Sequence, residues 1–379
     1  MNYCSSCLNV DTRPNSNFPK KNLCSACDYY FKTKNVNYEE RIIILNNIVK
    51  KFPKNPKRRY DCIIGVSGGK DSTRQALWIR DKLNLRPLLV CLGYPPEKSN
   101  NIGPHNLSNL INLGFDVHCI YYSPKQWKDL ARYCFRNFGN YLRHSEQAIV
   151  SAVPRLAIKY KIPVIFWGEN PGDVLGDSKT QGKTGYDGNN VKFMNTVAGG
   201  KLDWLLKAGY KLNKIFPFEY PQPEEFDKHK IQIIYLNWFW RDWSIVNNAI
   251  YSGVEGLRIR QDTFKNTQDL YGVFSLDEDW VTLNQMIKFY KYGFGRVSDY
   301  VNEEIRLGRI SRDNAIKLVE KFDGTVGKKY IKSFCDYIEI SVNEFWKVVR
   351  GVTNKDLFKI DNKKKITRKY KVGKGLIND

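Results

Sequence analysis

The sequence predicts an α/β protein whose parallel sheet carries helices on both faces, with an N-terminal zinc ribbon ahead of it and a mainly helical region behind. Three observations support this. From residue 60 onward, short apolar runs alternate with stretches of helical period, and strand–helix–strand order gives parallel pairing. The first run, Cys62-Ile63-Ile64-Gly65-Val66, feeds Ser67-Gly68-Gly69-Lys70-Asp71-Ser72, a glycine turn at the head of a helix. Upstream, Cys4 and Cys7, then Cys24 and Cys27, make two C-x2-C knuckles separated by sixteen residues. The expected units are 1–37 (zinc ribbon), 38–59 (helix and linker), 60–243 (sheet domain) and 244–379 (mainly helical).

Two knuckles let four thiolates close a tetrahedral shell, so Cys4, Cys7, Cys24 and Cys27 are candidate ligands of a structural Zn2+. An iron–sulfur cluster uses the same four ligands and stays open as the alternative. Residues 38–52 place Ile42, Leu45, Val49 and Phe52 at helical intervals, a helix expected to pack on the next domain. Pro53, Pro56 and the basic run Lys57 to Arg59 then mark a linker. Strands are expected at 61–66, 87–92, 117–121 and 163–167, with helices at 71–83, 104–113, 125–138 and 143–160. Ligands on such sheets bind beyond the carboxyl ends of the strands. Those ends are Ser67 onward, Gly93-Tyr94-Pro95-Pro96, Tyr122-Ser123 and Gly168-Glu169-Asn170.

Ser67 to Ser72 reads as a phosphate cradle. Two glycines let backbone N–H groups approach an anion, Ser67 and Ser72 offer hydroxyls, Lys70 adds charge, and the helix N-terminus adds its dipole. It is not a Walker A loop, which needs a glycine where Ile64 stands and a hydroxyl where Asp71 stands. The fourth strand end, Gly168-Glu169-Asn170-Pro171-Gly172-Asp173, sets two carboxylates and an amide near that cradle, or is a turn with solvated acids. Mg2+ prefers oxygen ligands and bridges phosphates, which makes Asp71 and Asp173 candidate ligands with Glu169 close by. Residues 168–200 carry eight glycines and suit a lid or substrate loop; Lys179 and Lys183 are either phosphate-neutralising or solvated.

Ile231 to Phe239 reads as a further strand. The cluster Trp238 to Trp243 is core or interface, with Asp242 an alternative sugar-hydroxyl ligand. After Asp277 the chain reads as helical. Arg296 and Asp299 follow a Gly-Phe-Gly turn, and arginine forks suit phosphate and carboxylate. Ser311 is an N-cap candidate. The tail around Lys363 to Lys369 reads as a solvated, frayed end.

At 379 residues the chain can hold one large or two moderate domains plus a small appendage, and 42% hydrophobic with 14% aromatic content excludes general disorder. A net charge of +22 favours polyanions such as nucleotide-linked substrates. The lysines are scattered among asparagine, isoleucine and tyrosine, so nucleic acid is not the expected partner. Residues 1–30 are polar and no apolar run approaches the ~20 residues of a membrane span. A cytoplasmic location is expected, where nine cysteines read as metal ligands and buried thiols before disulfides.

The Ser67–Ser72 string resembles the pyrophosphate loop (S-G-G-x-D-S) of the PP-loop ATP pyrophosphatases, which have an adenine nucleotide alpha hydrolase-like sheet. Gly168 to Asp173 is similar to their G-H-N-x-D-D stretch, with Glu169 in the histidine position. Adding the knuckles and Phe294-Gly295-Arg296 with Arg306-x-Gly308-Arg309-Ile310-x-Arg312, the order of blocks from Cys4 to about Gly324 resembles the N-acetyl sugar amidotransferases of bacterial surface-polysaccharide and nonulosonic-acid biosynthesis. That resemblance implies ATP, Mg2+ and a nucleotide-linked N-acetyl sugar whose acetamido group becomes acetamidino. It implies cofactor contacts from Ser67, Gly68, Gly69, Lys70, Asp71, Ser72, Gly93, Gly168, Glu169, Asn170 and Asp173, with Lys70 and Asp71 catalytic. Substrate contacts are expected from Lys179, Lys183, Asp242, Arg296 and Asp299. Ammonia would come from a separate glutaminase subunit like that of histidine biosynthesis, paired with a cyclase-like barrel protein. A tRNA-thiolating enzyme also joins knuckles to such a loop, but generally uses further active-site cysteines, and no C-x2-C follows Cys27. A zinc-ribbon nucleic-acid-binding module would leave Ser67–Ser72 without a role.

Overall fold

The computed structural model describes residues 1–19, 22–52, 54–94, 100–180, 182–197 and 199–377. Pro53 of the expected linker, and Pro95 and Pro96 after the second strand, lie outside the described residues. Five strands form the sheet: β1 (Cys62–Val66), β2 (Pro87–Leu92), β3 (Val117–Ile120), β4 (Val164–Trp167) and β5 (Gln232–Tyr235). Their order is β3-β2-β1-β4-β5 and every neighbouring pair is parallel. Residues of β1 and β2 are almost all buried, as expected of strands covered on both faces.

Helices of nine or more residues are numbered here: α1 (Ser25–Thr33), α2 (Tyr38–Lys50), α3 (Lys70–Leu83), α4 (Ile102–Asn112), α5 (Pro124–Phe138) and α6 (Arg143–Tyr160), then α7 (Ile245–Val254), α8 (Val281–Tyr292), α9 (Arg296–Arg306), α10 (Arg312–Phe322), α11 (Lys328–Ile338) and α12 (Val342–Val352). Along β1 successive side chains alternate between faces. Ile64 joins Leu45 and Ile48 of α2 and Ala76, Leu77 and Ile79 of α3. Ile63 joins Val150, Val153 and Leu156 of α6. The helix over 38–52 thus does pack on the sheet domain, with Leu45 fully buried.

The C-terminal helices are not a separate body. Ala131 and Phe135 of α5 share a core with α8, α11 and α12. Leu8 of the ribbon packs with Val297 and Val301 of α9, Ala315 and Val319 of α10, and Tyr370. Two local expectations change. The run from Ile231 to Phe239 is strand only to Tyr235 and then a 3-10 turn over Leu236–Phe239, because Asn237 N turns to donate to Gly168 O at 2.9 Å. The basic tail is folded into two hairpins, Phe358–Ile360 with Ile366–Arg368 and Tyr370–Lys371 with Gly375–Leu376. Tyr370 and Val372 bury their side chains there while the lysines face water. Ser311 does cap α10, its hydroxyl accepting from Asn314 N at 3.3 Å.

The start of α9 is held from a distance. Asp323 accepts from the backbone N–H groups of Gly295, Val297 and Ser298 at 2.8, 2.8 and 3.3 Å, and from Ser298 Oγ at 2.5 Å. A carboxylate serving as a remote cap satisfies donors that the helix cannot. Asp323→Ala is expected to lower unfolding stability by about 2–3 kcal/mol, read from urea titrations. A change under about 0.5 kcal/mol would contradict the capping role.

Candidate active site

Strand order reverses at β1: the chain moves outward to β2 and β3, then returns across β1 to β4. The crevice at the carboxyl ends of β1 and β4 is therefore the topological switch point. The Ser67 loop leaves β1 there and Gly168-Glu169-Asn170 leaves β4 beside it.

At the first loop Gly68 has φ +74°, and a Cβ on it would lie 3.0 Å from the backbone of Asn106 in α4. Only glycine serves at this close approach. Gly69 is the extended N-cap of α3, with Ser67 Oγ accepting from its N–H at 3.3 Å. The loop opens into a cavity of about 290 Å³. Ser67, Gly69, Asp71 and Ser72 form its polar end; Val90, Leu92, Ile149, Val153 and Trp167 form its apolar end. Polar cradle and apolar slot together match the phosphates and base of a nucleotide. Asp277, from the C-terminal region, closes one side, its carboxyl pushed up to about 6 by burial.

Helix α7 fixes the head of α3. Asn248 Nδ2 donates to Asp71 Oδ1 at 2.7 Å and Ser252 Oγ donates to Lys70 O at 2.6 Å. Arg74 donates to Asn248 Oδ1 and Asp242 Oδ2, each at 2.7 Å. Lys70 Nζ and Asp71 Oδ2 pair at 2.6 Å with the lysine side chain only 7% exposed. Asp242 is thus Arg74's partner beside α2 and α3, and it lines neither this cavity nor the one described next.

A second cavity of about 350 Å³ lies between the ribbon, the segment after β4, α8 and α9. Arg13, Glu169, Asn284, Gln285, Lys288, Arg296 and Asp299 line it. Here the structure brings Glu169, expected among the residues of the phosphate-loop site, together with Arg296 and Asp299, expected at the substrate. Arg296 lies flat on Phe274, 3.4 Å from the ring centre. Asp299 receives Arg13 at 2.5 Å and Lys288 at 2.7 Å. Burial alone would raise its pKa, but Lys288, Arg13 and Arg296 hold the carboxyl well below the usual range. Glu169 is open to the cleft, yet desolvation first, then the charges of Asp71 and Glu303, push it up to about 7 against Lys70 and Arg296.

Residues 261–371 match the family model for the LPS biosynthesis protein WbpG-like, C-terminal domain. This WbpG-like region supplies Asp277, Asn284, Gln285, Lys288, Arg296 and Asp299, so it forms one wall of both cavities. Among curated proteins no match is found. Among solved structures the U34-tRNA thiolase NcsA from Methanococcus maripaludis, with its 4Fe–4S cluster, is similar at 13% identity and a TM-score of 0.29, over 89% of this chain and 96% of that one.

The four cysteine sulfurs lie within 4.8 Å of one another, and among the described residues they are the one group of three or more His, Cys, Asp or Glu able to hold a metal ion. Cys7 and Cys24 sulfurs are 3.7 Å apart, near the edge of a tetrahedron with metal–sulfur bonds of about 2.3 Å. Asn9 N and Cys24 N donate to the sulfurs of Cys7 and Cys4 at 3.3 and 3.4 Å, which favours thiolates. Arg312 ties the ribbon to the WbpG-like region by donating to the carbonyls of Cys7 and Cys4 at 3.3 and 3.5 Å, and Arg306 ties that region to the segment after β4 by donating to Val174 O at 2.9 Å.

Other expected residues have different surroundings. Asn170 is fully buried and caps the turn Pro171–Val174, accepting from Gly172 N at 2.9 Å. Asp173 is buried at a third cavity beside Tyr29, Glu303 and Arg306, not in the cavity of Asp71. Gly93 is covered by the Tyr121 ring and Gly168 by Trp243. Lys179 and Lys183 are exposed and line neither cavity. The expected lid over 168–200 is held at two interior points: Ser178 N donates to Asn15 O at 3.2 Å, and Tyr235 N to Tyr186 O at 2.8 Å. Asn248 and Ser252 were not foreseen, although their four-residue spacing in an apolar helix is a readable signal.

Two outcomes follow from this geometry. Cys24→Ser should lose metal, counted per chain by mass spectrometry, and lower the melting temperature. Glu169 has a folded pKa above its unfolded value near ~4.3, so it costs stability as pH rises from there through about 7. Denaturation at about pH 5 and about pH 8 should show a shallower fall for Glu169→Gln than for wild type.

Proposed function

We propose that the chain is an ATP-dependent, AMP-forming amidotransferase acting on a nucleotide-linked N-acetyl sugar of surface-polysaccharide synthesis. The observation that carries this is that one WbpG-like region of LPS biosynthesis lines both the phosphate-loop cavity, through Asp277, and the second cleft, which holds Glu169. An amide carbonyl resists ammonia because its oxygen leaves poorly. Attack of that oxygen on the α-phosphate of ATP gives an O-adenylyl imidate and pyrophosphate, after which ammonia displaces AMP. The N–H groups at Gly69 and the head of α3, with Ser67, Ser72 and Lys70, would hold the β- and γ-phosphates and the charge growing on the departing pyrophosphate. Asp71, fixed by Asn248, suits a Mg2+ held jointly with phosphate oxygens; that ion would supply charge neutralisation. Asp173, in a different cavity, is the less suited of the two expected ligands.

The packing of the four sulfurs favours one Zn2+, since a cubane cluster spreads its cysteines over four irons and holds them farther apart. Ammonia is assigned to a separate glutaminase with its barrel partner. Cys62, Cys91, Cys134 and Cys335 are buried, and the exposed Cys119 lies in register with Cys91, a thiol, instead of a histidine base. No helix among the described residues is long and apolar enough to cross a membrane, and a cytoplasmic site, where ATP and sugar nucleotides are made, fits the reading.

Protein incubated with ATP, Mg2+, ammonium and UDP-linked acetamido sugars should release AMP only when sugar is present, and the sugar should become about one dalton lighter as NH replaces O. Lys70→Ala should cut AMP release by at least about 100-fold with an unchanged melting profile. Sugar-independent AMP release, or turnover only with tRNA and a sulfur donor, would overturn the reading.

A further inference from the structure

The second cavity contains polar groups that the fold does not use. Asn284 and Gln285 are consecutive on α8 and both line it. Their side-chain oxygens are buried without a hydrogen-bond partner among the described residues, and so is Arg296 Nε opposite. The cationic side chains Arg13, Lys288 and Lys291 of the same cavity are committed instead: Arg13 and Lys288 to Asp299, and Lys291 Nζ to Phe138 O at 3.0 Å. Buried polar atoms without partners are costly and are kept where a ligand completes them.

The chemistry of these groups limits the ligand. A side-chain amide both donates and accepts, and a half-turn exchanges the two roles. Phosphate or carboxylate oxygens only accept and would suit the two amides in one orientation alone. Hydroxyl and N-acyl groups donate and accept, so they match Asn284 and Gln285 in either orientation. The anionic part of such a ligand belongs on Arg296, whose guanidinium is planar, stacked on Phe274 and open at Nε. Glu169 lines the same cavity and feels the charges of Lys70 and Asp71 as well as that of Arg296.

We infer that Asn284 and Gln285 are specificity-determining residues of this cleft, reading the hydroxyl and N-acyl groups of a pyranose ring whose anionic handle lies on Arg296. This rests on the amidotransferase reading and adds which side chains select the sugar.

Titration calorimetry with UDP-linked monoacetamido and diacetamido hexoses, UDP alone, ATP and a tRNA anticodon stem–loop tests it. Asn284→Leu and Gln285→Met keep volume and remove the polar atoms. Each should weaken the acetamido-sugar nucleotides by about tenfold and leave UDP and ATP unchanged. Each variant without ligand should melt at or above the wild-type temperature, because no internal hydrogen bond is lost; a purely structural role would lower it. Variants that bind the sugar nucleotides like wild type, that lose UDP equally, or that melt well below wild type overturn the assignment while the reaction stands. Wild-type protein that ignores every sugar nucleotide overturns the reaction and the assignment together, and capture of the stem–loop alone in that case identifies a nucleic-acid substrate.

Discussion

Between β1 and β4 the chain changes its direction of travel across the sheet, and that reversal is what every other functional feature relies on. At a switch point the two flanking connections leave to opposite sides, so the strand ends stay open and a ligand can sit against backbone N–H groups. The Ser67 loop exploits one edge of the crevice and the Glu169 segment the other. Gly68 takes a left-handed conformation, and α4 leaves no room for a Cβ there. The head of α3 opens onto the cavity through Asp71 and Ser72, while the Lys70 side chain is buried and paired with Asp71. Preorganisation of this sort is what makes oriented dipoles effective in a water-poor site.

The Ser67-loop half of the site is finished by elements far away in sequence. Asn248 and Ser252 of α7 hold the first turn of α3, and Asp277 closes the slot. The other half is finished by a buried ion triad in which Arg13 and Lys288 meet Asp299, whose side chain is 5% exposed. Such buried groups add little net stability once desolvation is counted, but removing one partner is costly, so they fix one arrangement against alternatives. Here that arrangement joins the ribbon, α8 and α9 around one cleft.

Much of the sheet was legible because parallel strands covered on both faces read as continuous apolar runs between turns. Four strands and their helices lie within a residue or two of where their periodicity places them. The turn at Gly68 was legible for a different reason: two glycines between an apolar run and a helical stretch mark a tight strand-to-helix turn. What escaped was contact between distant segments. Leu8 N donates to Asn302 Oδ1 across 294 residues and Arg312 reaches Cys7 O across 305. Periodicity is local and cannot report either. Composition also misled at the tail, where lysines suggested a solvated end while Tyr370 and Val372 anchored a hairpin. Asp242 beside tryptophans suggested a sugar ligand, yet an arginine in α3 claims it.

The position of Arg13 has a thermodynamic corollary. It belongs to the ribbon that the four cysteines fold, yet its guanidinium reaches Asp299 and borders the second cleft. A metal that ordered the ribbon would thereby also order Arg13 at the cleft. Coupling of this kind is reciprocal: whatever factor a metal applied to ligand affinity, the ligand would apply to metal affinity. The ribbon would then be a readout of cleft occupancy as much as a support for it.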